Sequence, residues 1–407
     1  MGRDPSDNPH FNAVELEIFR GLLDAVAEEM GVRLMRSAYS PNIKERRDYS
    51  CALFDFRGDM VAQAAHIPVH LGSAPASVRA VLKAFPAEAM RPGERFIVND
   101  PFAGGTHLPD VTVVAPWFGH NENVPVFFVA NRAHHADVGG SAPGSMGITT
   151  SIDDEGVRLP PSRLTPGLID GFANRTRTPD ERRGDLRAQV AALDAGRSRL
   201  DELAAEHGAE RLVAAGGALQ DYAARAVTVL IDAMPDGEYA FTDCLEDDGV
   251  GATNLAIACT LTVAGELATF DFRECGDQTD GPVNAVRSIV ESAVLYALRC
   301  LAPAELPSNS GVLRPIEVRT RPGSVVDAQP PAAVAGGNVE TSQRLVDVVF
   351  GALAQALPDR VPAASHGGMN NVLVGSIDGE ATDGDSPPFA YYETIAAGPP
   401  AGRARPA

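Results

Sequence analysis

The chain has 407 residues, of which 44% are hydrophobic, so it can bury a sizeable core in two domains or in one large one. Its formal charge is −20, from 54 acidic and 34 basic residues, and this charge repels nucleic acid and anionic membrane surfaces. We therefore expect no nucleic-acid and no membrane partner. Since the start of the sequence is polar and no apolar run approaches the roughly 18 residues of a membrane span, we expect a soluble cytoplasmic protein.

The N-terminal part predicts a long helix, a charged loop and a β-hairpin. Apolar residues recur at three- and four-residue steps over residues 12–35, which is typical of an amphipathic helix. The charged stretch that follows contains Lys44, Arg46 and Arg47, which either form a solvated loop or hold an anionic substrate or a partner. Residues 51–65 then predict two strands joined by a tight turn.

His66 and His70 lie four positions apart in the motif HIPVH. On an extended segment these two side chains point to the same face, so both imidazoles are candidates for one site. The alternative is that each histidine is a hydrogen-bonded structural residue. A nucleophilic Cys51 near these histidines is a further alternative, although the five scattered cysteines mainly predict reduced, buried thiols.

The densest cluster of candidate metal ligands lies in residues 95–140. Two apolar runs, 111–118 and 124–130, are separated by a polar turn and predict a β-hairpin or a pair of neighbouring strands. NDPFAGGTHLPD precedes the first run, and RAHHADVGG follows the second. If the strands pair antiparallel, these two groups of histidines and aspartates meet in space. Such a site suits a divalent ion such as Mn, Fe or Zn.

The rest of the chain predicts helices followed by mixed strands and helices. Residues 182–234 predict two or three helices, broken at Gly208 and at the pair Gly216 and Gly217. Strand-like runs follow over residues 239–272, and helical spacing returns after them.

We therefore predict an α+β fold with mixed sheets and a helical subdomain in the middle of the chain. The predicted domains are an N-terminal α+β domain at 1–160 with the His/Asp site, a helical subdomain at 161–235 and a C-terminal α+β domain at 236–395. Residues 396–407 predict a disordered tail.

Three further features are weaker candidates for binding. The glycine-rich loop 141–147 could hold an anion with its backbone amides, but no GxxxxGK[ST] motif for a nucleotide occurs. The acidic run 246–249 predicts a solvated turn, with metal binding as the alternative. Asn338 or Thr341 can cap the helix that begins beside them, and its positive end suits an anion.

Several segments together resemble the hydantoinase B/5-oxoprolinase family, which also includes a subunit of acetone carboxylase-type enzymes. The matching segments are RSAYSPNIKERRDYSCALFD, HIPVHLGS, NDPFAGGTHLPDV, RAHHADVGGSAPGSM, GDLRAQVAA, GGNVETSQR and YYETI. The resemblance implies ATP-dependent opening of a small cyclic amide such as a hydantoin or 5-oxoproline. It also implies a hetero-oligomer in which a hydantoinase A-type subunit uses the ATP and this chain is the B-type subunit.

The resemblance also implies roles for individual residues. The metal site of carboxylase relatives falls on HLPD and RAHHAD, which gives His107, Asp110 and either His134 or His135 as ligands. Neighbouring residues on a strand face opposite ways, so the other histidine is expected to contact substrate or Asp137. The remaining candidate residues are His135, Asp137, Lys44, Arg46 and Arg47 in catalysis, and His66, His70, Asn99 and Asp100 at the substrate or behind the ligands.

Two other functions are compatible with these residues. A subunit of an ATP-dependent ketone carboxylase would use the same metal site. Family members usually continue beyond YYETI into a glycine-rich region, whereas this chain continues into a Pro/Ala/Arg-rich tail. A truncated, non-catalytic member that binds the A-type subunit is therefore the second alternative, and a hydrogen-bonded turn network without metal is the alternative for the HLPD and RAHHAD segments.

Overall fold

The structure is a computed structural model and describes residues 11–64, 67–119, 123–376 and 389–395. Its helices are α1 (Ala13–Ser37), α2 (Pro41–Lys44), α3 (His70–Ala84), α4 (Pro166–Ala173), α5 (Pro179–His207), α6 (Ala209–Asp232), α7 (Arg287–Leu301) and α8 (Glu340–Ala356). Within the described residues, none of the helices combines the length and the apolar character that crossing a membrane requires.

The strands are β1 (Tyr49–Asp55), β2 (Met60–Gln63), β3 (Phe96–Val98), β4 (Asp110–Trp117), β5 (Phe127–His134), β6 (Ser162–Arg163), β7 (Gly237–Asp247), β8 (Thr253–Ala264), β9 (Leu267–Asp271), β10 (Ile316–Arg319), β11 (Asn370–Gly375) and β12 (Ala390–Ile395). An antiparallel six-stranded sheet has the order β2-β1-β5-β4-β3-β6. A second sheet has the order β10-β9-β8-β7, with β10 parallel to β9. β11 and β12 form a two-stranded ribbon. The predicted α+β class with mixed sheets is confirmed.

The six-stranded sheet is buried on both faces. Along β1, Ala52 and Phe54 belong to one hydrophobic core, whereas Cys51 and Leu53 belong to the other. α3 lies on the first face and packs in turn against α7, while α1, α5 and α6 cover the second face. Because both faces are covered, successive positions are apolar, which explains the continuous Val- and Phe-rich runs of β4 and β5.

The second sheet is covered mainly on one face. In β8, Ile257, Cys259, Leu261 and Val263 are buried, and the residues between them are partly exposed. α8 packs on β7 and β8 and shares a core with the buried residues. This period of two is what a strand with one covered face requires.

The helix predictions fail at one pair of glycines. α1 begins after Asn12, whose side chain accepts two backbone hydrogen bonds in a capping box. A helix ends at Gly208 as expected, but α6 continues through Gly216. A Cβ at Gly216 would lie 2.9 Å from Val61 Cγ1, so this glycine allows α6 to approach β2 closely and does not end the helix.

The division of the chain at residues 160 and 235 stays a prediction. α5 and α6 share a hydrophobic core with α1 and the six-stranded sheet. The middle helices therefore support β4 and β5 directly. The predicted tail, residues 396–407, lies outside the described residues.

We expect Gly337→Ala to destabilise the fold, because an added Cβ would lie 1.9 Å from the Asn284 carbonyl oxygen. Overpacking at such a contact costs about 3 kcal/mol of unfolding free energy, measured by chemical denaturation. Gly21→Ala is the matched control, since Gly21 lies in α1 with nothing within 4 Å of the added carbon. This control should be neutral or stabilising by up to about 1 kcal/mol. Equal effects of the two substitutions would contradict the close approach at Gly337.

Candidate metal centre

The pairing of β4 with β5 brings the two ligand-bearing segments together. Asp110, the first residue of β4, pairs with His134, the last residue of β5. His107 lies in the turn just before β4. Gly105 allows this turn to pass close to the preceding strand end, since a Cβ there would lie 2.6 Å from the Asn99 carbonyl oxygen. The antiparallel pairing expected from the sequence is confirmed.

His107, Asp110 and His134 form a buried cluster that could hold a metal ion. His107 Nε2 lies 3.2 Å and His134 Nδ1 lies 3.3 Å from the same oxygen, Asp110 Oδ1. With metal–ligand distances of about 2.1 Å, neighbouring ligand atoms of one ion lie about 3.0–3.4 Å apart, so the observed spacing fits a single ion. Asp110 Oδ1 is buried without a hydrogen-bond partner, which is a further reason that the residues fit a cation.

The backbone at Ala335 orients His107. The Ala335 carbonyl oxygen lies 3.3 Å from His107 Nδ1, and since a carbonyl can only accept, Nδ1 carries the proton. Nε2 is then left with a lone pair on the side of the cluster, as a metal ligand requires. The Thr106 hydroxyl donates to Asp110 Oδ2 over 2.8 Å and holds the carboxylate in place.

Asn338 also lies at the cluster. Its Nδ2 is 3.1 Å from His107 Nε2 and 3.3 Å from Asp110 Oδ2. The expectation that Asn338 or Thr341 caps α8 is wrong, because α8 has no side-chain cap. The side chain of Thr341 instead donates to the Val283 carbonyl oxygen.

His70 lies at the edge of the cluster. Its Nε2 is 3.5 Å from Asp110 Oδ2, and its Nδ1 is 2.8 Å from Ser50 Oγ. The prediction of an extended segment here is wrong, since the chain turns at residues 68–69 and His70 is the first residue of α3. His66, the other histidine of this motif, lies outside the described residues.

Burial and neighbouring charges oppose one another in setting the pKa values of the cluster. Burial raises the pKa of Asp110, but the adjacent His107 and His70 outweigh it and hold this pKa well below its usual range. Burial lowers the pKa of His134, but Asp110 and Asp48 outweigh it and raise this pKa overall. Asp110 therefore stays an anion in the folded protein, which is the state in which a carboxylate binds metal.

Arg132 places a buried positive charge near the cluster, two residues before His134 on β5. It donates to the Thr112 hydroxyl over 2.9 Å and to the Ser77 hydroxyl over 2.8 Å. Burial lowers the pKa of Arg132, and the nearby Asp110 opposes this effect. Arg132 therefore offsets part of the negative charge of the cluster without a direct ion pair to its carboxylate. The sequence alone gives no signal for this role.

Tyr392 of β12 covers one ligand from the C-terminal side. Its ring stacks on the His134 imidazole, with 4.8 Å between the ring centres and 26° between the planes. The Arg46 guanidinium lies 5.6 Å from the centre of the Tyr392 ring. Arg46 is therefore the member of the predicted basic patch that lies beside the cluster, whereas Lys44 and Arg47 are exposed.

His135 lies away from the cluster, and this position gives no support to its predicted catalytic role. It points to the opposite face of the sheet from His134, as the alternation along an extended chain requires. There its Nε2 lies 3.0 Å from Gln189 Oε1, and its ring packs edge-on against Phe172. Burial, together with Arg182, lowers the pKa of His135 to about 4, so it is neutral near pH 7.

Asp137 makes internal structural contacts, and these give no support to its predicted catalytic role. It is fully buried and pairs with Arg177 over 2.9 Å. Its carboxylate also accepts the backbone N–H groups of Gly139 and Gly144. The loop 141–147 was expected to hold an anion, but one of its backbone amides is already bonded to this internal carboxylate.

Asn99 and Asp100 hold backbone close to the turn and do not face the cluster. Asn99 donates to the carbonyl oxygens of Leu108 and Val157 over 2.8 and 2.9 Å, and it accepts from a third backbone group. Asp100 accepts the N–H of Phe102 over 3.0 Å. Both residues therefore shape the segment that presents His107, and their place at the substrate or behind the ligands stays a prediction.

Cys51, a weaker candidate from the sequence, is a core residue. Cys51 belongs to the core on the far face of β1, and burial raises the pKa of its thiol, which opposes a nucleophilic role. The neighbouring residue Ser50 contacts His70 instead of Cys51.

The acidic run 246–249 ends in a turn. Asp248 Oδ1 accepts three backbone N–H groups, from Val250 and the two residues after it. This pattern fits the predicted turn.

Glu155 supports the segment that orients His107. Its Oε1 accepts the backbone N–H groups of Val334 and Ala335 over 2.8 and 2.9 Å, while its Oε2 is buried without a hydrogen-bond partner. Burial raises the pKa of Glu155 from 4.5 to about 7, although these backbone hydrogen bonds lower it.

Because the folded state holds the Glu155 proton more tightly than the unfolded state, its stabilising effect is complete below pH 4.5 and is lost as pH rises through about 7. Glu155→Gln removes this titration. Between these pH values the unfolding free energy of the variant should rise relative to wild type by on the order of 3 kcal/mol, measured by denaturation with a chelator present. Asp154→Asn, at the exposed neighbouring residue, keeps Glu155 and should keep most of the wild-type slope, since Asp154 makes the smallest of the contributions to the Glu155 pKa. The same slope in wild type and Glu155→Gln would contradict the assignment.

The fold and the cluster define an α+β protein with a buried His-Asp-His centre suited to a divalent ion. Residues 12–406 match the hydantoinase B/oxoprolinase family, and the chain belongs to this family. It is 36% identical to 5-oxoprolinase 1 of Arabidopsis thaliana over 96% of this chain and 32% of that protein. It is 29% identical to a Pseudomonas sp. protein named as the B-type subunit of a D-/L-hydantoinase, over 94% of this chain and 67% of that protein.

Two solved structures share the fold. The ATP-dependent caprolactamase from Pseudomonas jessenii superposes with a TM-score of 0.83 at 30% identity, covering 90% of this chain and 64% of that chain. Acetone carboxylase superposes with a TM-score of 0.78 at 18% identity, covering 89% of this chain and 51% of that chain, which is a likeness of fold. The chain thus spans about a third of the 5-oxoprolinase and about two thirds of the caprolactamase chain.

Proposed function

We propose that this protein is the B-type subunit of an ATP-dependent enzyme that opens a small cyclic amide, such as a hydantoin or 5-oxoproline. The observation that carries the proposal is the buried cluster of His107, Asp110 and His134 in a chain that matches its family over residues 12–406. ATP dependence is supported by the caprolactamase, and oxoproline chemistry by the 5-oxoprolinase. The proposed site of action is the cytoplasm.

The residues of the cluster would hold Mn, Fe or Zn through His107 Nε2, one oxygen of Asp110 and His134 Nδ1. When bound, the ion would supply Lewis-acid polarisation of a substrate carbonyl. Ala335 and Thr106 hold two of these ligands in their orientation. These contacts keep the ligand atoms in place before substrate arrives, which lowers the cost of ordering the site.

Arg46 is proposed to hold an anionic group of the activated substrate. Its guanidinium lies over the rings of both Tyr391 and Tyr392, at 5.4 and 5.6 Å from their centres. Tyr392 in turn stacks on His134. Arg46 is thus positioned next to a ligand of the proposed ion, and a guanidinium suits a carboxylate or phosphate oxygen pair. His70, in contact with Asp110, is proposed to support the carboxylate from behind.

ATP is proposed to be used by a hydantoinase A-type subunit within a hetero-oligomer. The sequence contains no GxxxxGK[ST] motif, and the name of the Pseudomonas sp. relative describes one subunit of a hydantoinase. The alternative enzyme is a ketone carboxylase subunit, which the fold shared with acetone carboxylase supports. The alternative outside catalysis is a member that binds the A-type subunit without holding metal.

His107→Ala and His134→Ala should each lower metal affinity at least about tenfold, because each removes a proposed ligand. Metal content after dialysis and titration with Mn, Fe or Zn would measure this. His135→Gln is the matched control, since the neighbouring histidine faces the opposite side of the sheet and should leave affinity unchanged. Wild-type protein that binds none of these ions would refute the proposed centre and favour the non-catalytic alternative.

Reconstitution with the A-type subunit separates the two enzymatic functions. Ring opening of hydantoin or 5-oxoproline that requires ATP and is lost in Asp110→Asn would support the proposal, because Asp110 contributes the only carboxylate of the three-residue cluster. Bicarbonate- and ATP-dependent consumption of a ketone, with no ring opening, would replace it with the carboxylase function. The His135→Gln subunit serves again as the folded control.

A further inference from the structure

We propose that Asn338 is a fourth protein ligand of the centre, binding the ion through its side-chain oxygen. This inference rests on the proposed metal centre and adds to it a residue from the turn just before α8. The amide reaches the cluster from 228 residues further along the chain than Asp110. It therefore joins the C-terminal half of the protein to a site otherwise built by the β4 and β5 segments.

The position of the amide matches that of a ligand. Asn338 Nδ2 lies 3.1 Å from His107 Nε2 and 3.3 Å from Asp110 Oδ2. These spacings are within 0.1 Å of those between the histidine nitrogens and Asp110 Oδ1, which are 3.2 and 3.3 Å. Neighbouring ligand atoms around one ion lie about 3.0–3.4 Å apart, so the terminal amide atom of Asn338 occupies the place of a further ligand.

The other atom of the amide has no partner. Asn338 Oδ1 is buried and makes no hydrogen bond, whereas Nδ2 contacts two atoms of the cluster. A half-turn of the amide plane exchanges the two atoms and leaves the side chain in the same place. With an ion present, this half-turn directs the carbonyl oxygen to the cation, and the buried acceptor gains a partner that it otherwise lacks.

The backbone that delivers Asn338 is the same segment that orients His107. Ala335 contacts His107 Nδ1 and is itself anchored by Glu155. The Ser342 hydroxyl donates to the Asn338 carbonyl oxygen over 2.8 Å, which ties the residue to the first turn of α8. The ligand histidine and the amide are therefore held in a fixed relation, as a preorganised metal site requires.

The alternative is that Asn338 only donates a hydrogen bond to Asp110, and the affinity and absorption spectrum of Co(II)-loaded variants distinguish the two roles. Asn338→Asp keeps an oxygen in the same place but cannot donate from its ionised form. If Asn338 is a ligand, Asn338→Ala lowers Co(II) affinity at least about tenfold, and Asn338→Asp binds Co(II) at least as tightly as wild type. If Asn338 is only a donor, Asn338→Ala keeps the wild-type Co(II) absorption bands, because the coordination of the ion is unchanged, and the proposal is overturned.

Co(II) is the probe, and its visible absorption bands report both affinity and coordination. Gln343→Ala is the control: Gln343 lies in the first turn of α8 and outside the cluster, so this variant should retain the wild-type spectrum and affinity. A crystal structure of the cobalt-loaded protein gives the direct readout: an Oδ1–Co distance of about 2.1 Å supports the assignment, and an amide beyond contact range refutes it. The wild-type crystal keeps the test decisive if Asn338→Ala fails to fold.

Failure of this proposal is distinguishable from failure of the proposed function. Wild-type protein that binds no Co(II), Mn, Fe or Zn would remove the centre and this ligand with it. Wild-type protein that binds Co(II) through His107, Asp110 and His134, with the same absorption bands in Asn338→Ala, would remove the ligand alone.

Discussion

The register of β4 against β5 is the constraint on which the candidate centre depends. The pairing of Asp110 with His134 places a carboxylate beside an imidazole at the end of the sheet, and the preceding turn adds His107. A slip of one residue would exchange His134 for His135, which in the observed register lies against Gln189 on the opposite face. The burial of the sheet on both faces therefore fixes the chemistry as well as the fold, since a slipped register would move every core side chain of the slipped strand into the core on the opposite face.

The second requirement comes from the C-terminal half of the chain. Glu155 bonds the N–H groups at residues 334–335, and the Ala335 carbonyl oxygen then fixes the protonated nitrogen of His107. A histidine without such a contact could turn its N–H into the cluster, where it could not bind metal. The segment 334–338 thus links the orientation of a ligand to the packing of α8, so the His/Asp cluster is not a property of the hairpin alone.

The local part of the site could be predicted from the sequence, and the distant part could not. Antiparallel pairing of two apolar runs follows from their lengths and the polar turn, and the alternation of strand side chains limits the choice between His134 and His135 to one residue per face. The position of Arg132 could not be predicted, because nothing in the sequence distinguishes this buried arginine, held by serine and threonine hydroxyls, from an exposed arginine on a strand. The prediction that His70 lies at the site assumed an extended segment, but helix α3 begins at this residue and the chain is not extended there. Gly216 resembled a helix break but marks a close approach of α6 to β2.

The balance of buried charge determines which kind of substrate the proposed centre favours. Asp110 carries one negative charge, the Arg132 guanidinium carries one positive charge nearby, and both are almost fully buried. A divalent ion would therefore leave the proposed centre with an excess of positive charge in a region of low dielectric, where charge is costly unless it is paired. Arg46, beside Tyr392, adds a further positive group on the same side as His134. Such a centre favours a substrate or intermediate that brings negative charge with it, and this preference agrees with the proposal that a partner subunit first activates the substrate with ATP.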